Sequence, residues 1–174
     1  MDNITERAKK IKLLLLDVDG VLTDGRIIYG TYGDELKNFD VNDGLGMMLV
    51  KRAGIRCAII TAKGSTVVKK RARDLKVDKV YSNFHYKIKA LKNITKKFKI
   101  KNEEICFVGD DIIDVPILKR IGLAIAVPNA MDEVKEIAHY ITKKNGGRGA
   151  VREVCDILLK AQGKWEETTR KYFA

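Results

Sequence analysis

Four short apolar runs constrain this chain more than any other feature. They lie at residues 12–16, Arg56–Ile60, residues 105–108 and residues 123–127. Each is bounded by Gly, Asp or Thr, and a pattern of helical period follows most of them. Such alternation predicts an α/β domain built on a parallel sheet with helices packed on it. A weaker strand is expected at Lys79–Tyr81. Helical apolar faces are carried by Leu45, Met48, Leu49 and Ala53, then by Val67, Val68, Ala72 and Leu75, then by Ile88, Leu91, Ile94 and Phe98. A short helix is expected within residues 112–121 and a longer one at Ala150–Ala161. One segment breaks the alternation. Residues 26–41 read as two short β runs around a turn at residues 30–34. A lone hairpin is marginal in water, so it must pack on its own domain or on another subunit. With no repeat and no low-complexity linker, residues 1–174 are expected to form a single domain, closed by a tail over about residues 163–174.

Composition narrows the setting. At 174 residues and 45% hydrophobic, the chain suits one compact core. No apolar stretch approaches the ~20 residues of a membrane helix. The N-terminal MDNITERAKKIK is polar, without a signal-peptide core, so the expected location is the cytoplasm. Cys57, Cys106 and Cys155 lack metal-ligand spacing and read as small buried hydrophobes. The formal charge of +11 could serve a nucleic-acid partner. Lysine nevertheless far outnumbers arginine along amphipathic helices, which reads as a solvated surface, and nucleic acid is not the expected partner.

The chemistry gathers where strands end. In an open parallel sheet, ligands bind beyond the carboxyl ends of the strands. Asp17 and Asp19 follow the first run, Thr61 the second, and Asp110 and Asp111 the third, with Asp114 one helical turn on and Lys87 opening a helix. Converging carboxylates repel one another in a low-dielectric cleft. A hard divalent cation resolves the repulsion, and Mg²⁺ favours a few carboxylates, waters and a substrate phosphate. A Thr hydroxyl and a Lys ammonium suit the other phosphate oxygens.

The stretches "DVDGVLTDG", Thr61, Lys87 and "GDDIID" resemble the haloacid dehalogenase superfamily. The resemblance implies phosphoryl transfer through an aspartyl-phosphate, with Asp17 as nucleophile and Asp19 protonating the leaving oxygen and then activating water. It also implies Mg²⁺ bound by Asp17, the Asp19 main-chain carbonyl and Asp110, with Asp111 and Asp114 supporting these ligands from behind. Thr61 and Lys87 would bind the transferring phosphoryl group. The chain has no room for a cap domain, because only the hairpin and one helix separate Asp19 from the second strand. An open site implies a large substrate or a lid from a neighbouring subunit.

"GDELKNFDVNDGLG", "FVGDDIIDVP" and "GGRGAVREVCDILLKAQGK" further resemble one capless branch, the 3-deoxy-D-manno-octulosonate 8-phosphate phosphatases of lipopolysaccharide biosynthesis. This implies a phosphorylated sugar acid as substrate and a homotetramer, with hairpins meeting at its centre and tails covering adjacent sites. The sequence departs from that branch at Ala62-Lys63, where Gly-Arg is usual; Lys keeps the charge but loses the planar fork that grips a carboxylate. A related nonulosonate 9-phosphate and a nucleic-acid end phosphate remain alternative substrates, and a non-enzymatic binding role conflicts with the intact carboxylates. Lys63 is expected at the start of the helix after Thr61, and Arg148 and Arg152 in the first turn of the last helix, where the dipole disfavours cations. Lys63 and Arg148 are therefore candidates for reading an anionic substrate. His85 could touch substrate, whereas His139 reads as structural.

Overall fold

The computed structural model describes residues 2–174. A parallel sheet of six strands forms its centre. In chain order these are β1 (Leu13–Leu16), β4 (Arg56–Ile60), β5 (Lys79–Tyr81), β6 (Ile105–Gly109), β7 (Leu123–Ala126) and β8 (Tyr140–Ile141), with spatial order β5-β4-β1-β6-β7-β8. All four leucines of β1 are buried, as a strand covered on both faces requires. β1 pairs in parallel with β4, Leu13 opposite Arg56, and with β6, Leu13 opposite Ile105. The carboxyl ends of three adjacent strands therefore open side by side, at residues 17, 61 and 110.

Eight α-helices are described: α1 (Asp2–Lys9), α2 (Val41–Arg52), α3 (Thr66–Asp74), α4 (Ile88–Phe98), α5 (Val115–Leu118), α6 (Asp132–Ile137), α7 (Ala150–Ala161) and α8 (Trp165–Thr169). Asp40 caps α2 by accepting from the Asn42 amide at 2.6 Å. α2 in turn caps α7: Asp43, buried, accepts from the Arg152 amide at 2.7 Å. α7 needs this, because its own N-cap is Gly149, which offers no side chain. Gly149 has φ 93°, a left-handed conformation, so the helix cannot begin before Ala150.

The expected strands and the main helices are all present. The two short runs of the interruption pair as an antiparallel hairpin, β2 (Ile28–Tyr29) with β3 (Glu35–Leu36). The structure adds α1, α6, α8 and β8, which periodicity does not announce. The tail folds back on its own chain: Arg52 donates to the Thr168 carbonyl at 2.8 Å, and the Arg152 and Lys160 cations lie over the Trp165 ring at 5.9 and 5.1 Å. The three cysteines are free and buried. No helix is long and apolar enough to cross a membrane among the described residues.

Candidate active site

The loop leaving β1 is shaped by one hydroxyl. Thr23 Oγ1, buried, accepts from the Gly20 amide at 3.4 Å and the Gly25 amide at 3.2 Å, and donates to the Val18 carbonyl at 3.3 Å. The loop then turns beneath Asp110. At Gly20, φ is 89° and a Cβ would sit 2.0 Å from Asp110 Oδ2, so only glycine fits.

Lys87 is the hub. It immediately precedes α4, is buried, and places Nζ 2.8 Å from Asp17 Oδ1 and 2.6 Å from Asp114 Oδ1. An ammonium has three donors, and these two contacts leave one for another acceptor. The other oxygen of Asp114 accepts from the Asp110 amide at 3.1 Å and the Asp111 amide at 3.3 Å. Both oxygens of Asp114 are thus engaged, and it holds Lys87 and the Asp110 loop in place. Asp110 Oδ1 is buried without a hydrogen-bond partner among the described residues.

The electrostatics call for a cation. Ligand atoms from Asp17, Asp110 and Asp114 lie within 4.8 Å of one another. Three carboxylates against the single Lys87 ammonium leave two negative charges. Burial, then the Asp114 charge, pushes the Asp17 carboxyl well above the ordinary carboxylate range. Burial, then the Asp17 and Asp114 charges, does the same to Asp110. Burial by itself would lower the Lys87 pKa, but Asp17 and Asp114 outweigh it and raise it, keeping Lys87 charged. An unpartnered carboxylate oxygen, an all-oxygen donor set and an excess of two negative charges fit Mg²⁺.

The other expected residues divide. Thr61 is buried at the end of β4, its hydroxyl donating to the Lys63 carbonyl at 3.2 Å. The Asp19 carboxylate stands apart from the cluster, 2.5 Å from Lys37 Nζ, while its main-chain carbonyl accepts no hydrogen bond among the described residues. Asp111 contributes only its amide; its exposed carboxylate turns back to accept from the Ile112 amide at 2.6 Å. Lys63 lies in the loop before α3, which starts only at Thr66, and its Nζ is 3.1 Å from Tyr29 Oη and 3.6 Å from Glu35. Arg148 is exposed and precedes α7 rather than lying in its first turn, because of the left-handed Gly149. His85 is exposed, and His139 is structural, accepting from the Ala124 amide at 2.9 Å.

Sequence reasoning missed Asn129. It follows β7 on the same edge of the sheet, donates to the Gly20 carbonyl at 2.9 Å and accepts from the Gly146 amide at 2.8 Å. It thereby ties the loop after β1 to the loop before α7. Its position just past a strand's carboxyl end was the available signal. Lys37 was also missed, since a lysine on a short hairpin reads as solvated.

The model of the haloacid dehalogenase-like hydrolases matches residues 53–154, more than half of the chain. The chain belongs to the haloacid dehalogenase-like hydrolases. Among curated members of this hydrolase family, it is 43% identical over 165 residues to the 3-deoxy-D-manno-octulosonate 8-phosphate phosphatase of Escherichia coli (strain K12), covering 95% of this chain and 88% of that one. The Yersinia pestis protein of the same name is 40% identical over 168 residues, covering 97% and 90%. A hydrolase structure from Moraxella catarrhalis, the phosphatase of the same name in complex with magnesium, phosphate and KDO, superposes with TM-score 0.96 at 41% identity, covering 99% of each chain. The cobalt-bound Haemophilus influenzae enzyme gives TM-score 0.90 at 33% identity, covering 96% of this chain and 98% of that one.

Proposed function

We propose that the chain is a Mg²⁺-dependent phosphoric monoester hydrolase that converts 3-deoxy-D-manno-octulosonate 8-phosphate to the free sugar acid and phosphate. The observation that carries the reading is the buried Asp17–Lys87–Asp114 array beside an unpartnered Asp110 oxygen, in a chain similar end to end to phosphatases of that name. Asp17, Asp110 and the Asp19 carbonyl would hold Mg²⁺, which would supply positive charge to offset that on the transferring phosphoryl group.

The residues of the chain do the rest. An Asp17 oxygen forms a bond to phosphorus while the bond to the sugar oxygen breaks. The electron pair stays on that oxygen, which takes a proton from Asp19. A water oxygen then bonds to phosphorus, its proton passes to the Asp19 carboxylate, and Asp17 leaves as a carboxylate. A carboxylate nucleophile needs no base to activate it. Lys87, through its third donor, and Thr61 hold the phosphoryl group. Asp114 fixes Lys87, and Asp111 steadies the loop through its amide. Lys63 and Arg148 read the substrate carboxylate at the rim.

Residues 1–174 act as one domain in the cytoplasm, and the working form is a homotetramer. The hairpin supports the assembly: Ile27, Ile28, Tyr29, Tyr32 and Leu36 are exposed together, a large apolar patch for so short an element. Phosphate release is measured across octulosonate 8-phosphate, a nonulosonate 9-phosphate and oligonucleotides with phosphorylated ends. The expected outcome is a dominant specificity constant for the octulosonate. Preference for either of the others would replace the substrate, and full turnover by Asp17→Asn would remove the mechanism.

A further inference from the structure

Lys37 lies on the hairpin, yet its side chain is only 1% exposed. Its neighbour Leu36 is 55% exposed. Lysines on a solvated strand normally extend their ammonium into water. Successive side chains alternate across a strand, so Glu35 and Lys37 share one face and Leu36 takes the other. That shared face is turned toward the active site. Lys37 Nζ sits 2.5 Å from Asp19 Oδ1 and 3.0 Å from Glu35 Oε1. Glu35 Oε2 lies 3.6 Å from Lys63 Nζ, which bonds to Tyr29 Oη at 3.1 Å. A continuous polar chain thus runs from Asp19 through the hairpin to the site rim.

We propose that Lys37 is a positioning residue for Asp19, pinning one carboxyl oxygen so that the other alone handles the proton. This rests on the reading of Asp19 as proton donor. The ammonium only donates, so Oδ1 always accepts and a proton can reside only on Oδ2. Oδ2 accepts no hydrogen bond among the described residues. When the phosphorus–oxygen bond to the sugar breaks, the sugar oxygen keeps the electron pair and takes the proton from Oδ2. Asp19 becomes a carboxylate with Oδ1 still held. In the second step Oδ2 takes the proton released as the water oxygen bonds to phosphorus. Without Lys37 the carboxyl group rotates, and its proton populates either oxygen in either direction. The hairpin is thereby part of the catalytic apparatus as well as an assembly surface.

The test separates proton delivery from everything else. Lys37→Met, Lys37→Gln, Lys37→Arg and Asp19→Asn are compared with the unaltered enzyme in saturating Mg²⁺ by rapid quench. The two substrates are octulosonate 8-phosphate, whose alkoxide must be protonated, and p-nitrophenyl phosphate, whose leaving group departs without a proton. For Lys37→Met, first-turnover cleavage of the sugar phosphate should fall about tenfold or more, with KM changed less than about threefold. The first-turnover burst of p-nitrophenolate should stay within about twofold of the unaltered enzyme, and Lys37→Arg should recover most of the loss. Lys37→Gln is judged by the same criteria, so a folding defect in one variant leaves the question decidable. Equal loss on both substrates, a change in KM alone, or no loss overturns the proposal. Asp19→Asn should show the same split more strongly. If it does while Lys37→Met and Lys37→Gln do not, the positioning role falls and the acid assignment stands. If Asp19→Asn shows no split, both fall.

Discussion

Lys87 shows how single side chains decide this site. It stands between two buried carboxylates, so removing it strands both. Breaking a buried ion pair by deleting one partner costs about 3–5 kcal/mol. Lys87→Met should therefore lower Tm by many degrees in the metal-free protein as well as abolish turnover, as a thermal melt and a phosphate assay would show. Asp110 behaves oppositely. Its Oδ1 is already unpartnered and its carboxyl is raised by burial, so the metal-free protein bears the strain of holding it. Mg²⁺ at a hundred times its Kd should stabilise the fold by about 2.7 kcal/mol, and the rise in Tm reads this without any substrate. Asp110→Asn should remove most of that rise. A full rise in the variant would take Asp110 out of the metal site.

Asp43 acts between elements, as the side chain by which α2 caps α7. Burial, more than any other cause, raises its pKa from 3.8 to about 6, and its second oxygen has no hydrogen-bond partner among the described residues. A raised acid favours the protonated folded state. Its contribution is therefore full below about pH 4 and is lost as pH rises to about 6, by up to about 3 kcal/mol. Asp43→Asn cannot ionise, so the Tm difference between variant and wild type should move in the variant's favour across that window. A constant difference from pH 4 to 7 would refute the assignment. Gly20→Ala tests another junction. The added methyl needs the space of Asp110 Oδ2, and turnover should fall at least about tenfold while the sheet remains. Elements of this kind explain what could be read in advance. The strands announced themselves because a sheet buried on both faces demands continuous apolar runs, and the acids at their ends had no role in a core. β8 has two residues and α6 six, too few to show a period. Asn129, Asp43 and Lys37 could not be read, because each acquires its role only from a partner 17 to 109 residues away, at Gly146, Gly20, Arg152 or Asp19.

At the scale of the whole molecule, the exposed apolar hairpin predicts association. Light scattering should give about four times the chain mass of 19.6 kDa. Replacing Ile28 and Leu36 with Lys should yield smaller species, and an unaltered mass in that variant would move the interface elsewhere. The order of the strands has a different consequence, for synthesis. Strand β1, which leads into Asp17, is made early, yet it lies between β4 and β6, which follow much later. Asp17 waits for Lys87 and Asp114, and the Gly20 carbonyl waits for Asn129 and the Gly146 loop beyond it. A growing chain therefore carries the Asp17 carboxylate without its partners through most of translation. A ribosome that stalls before Gly146 releases a fragment without an assembled site, because the loop that Asn129 holds against the Gly20 turn has not yet been made.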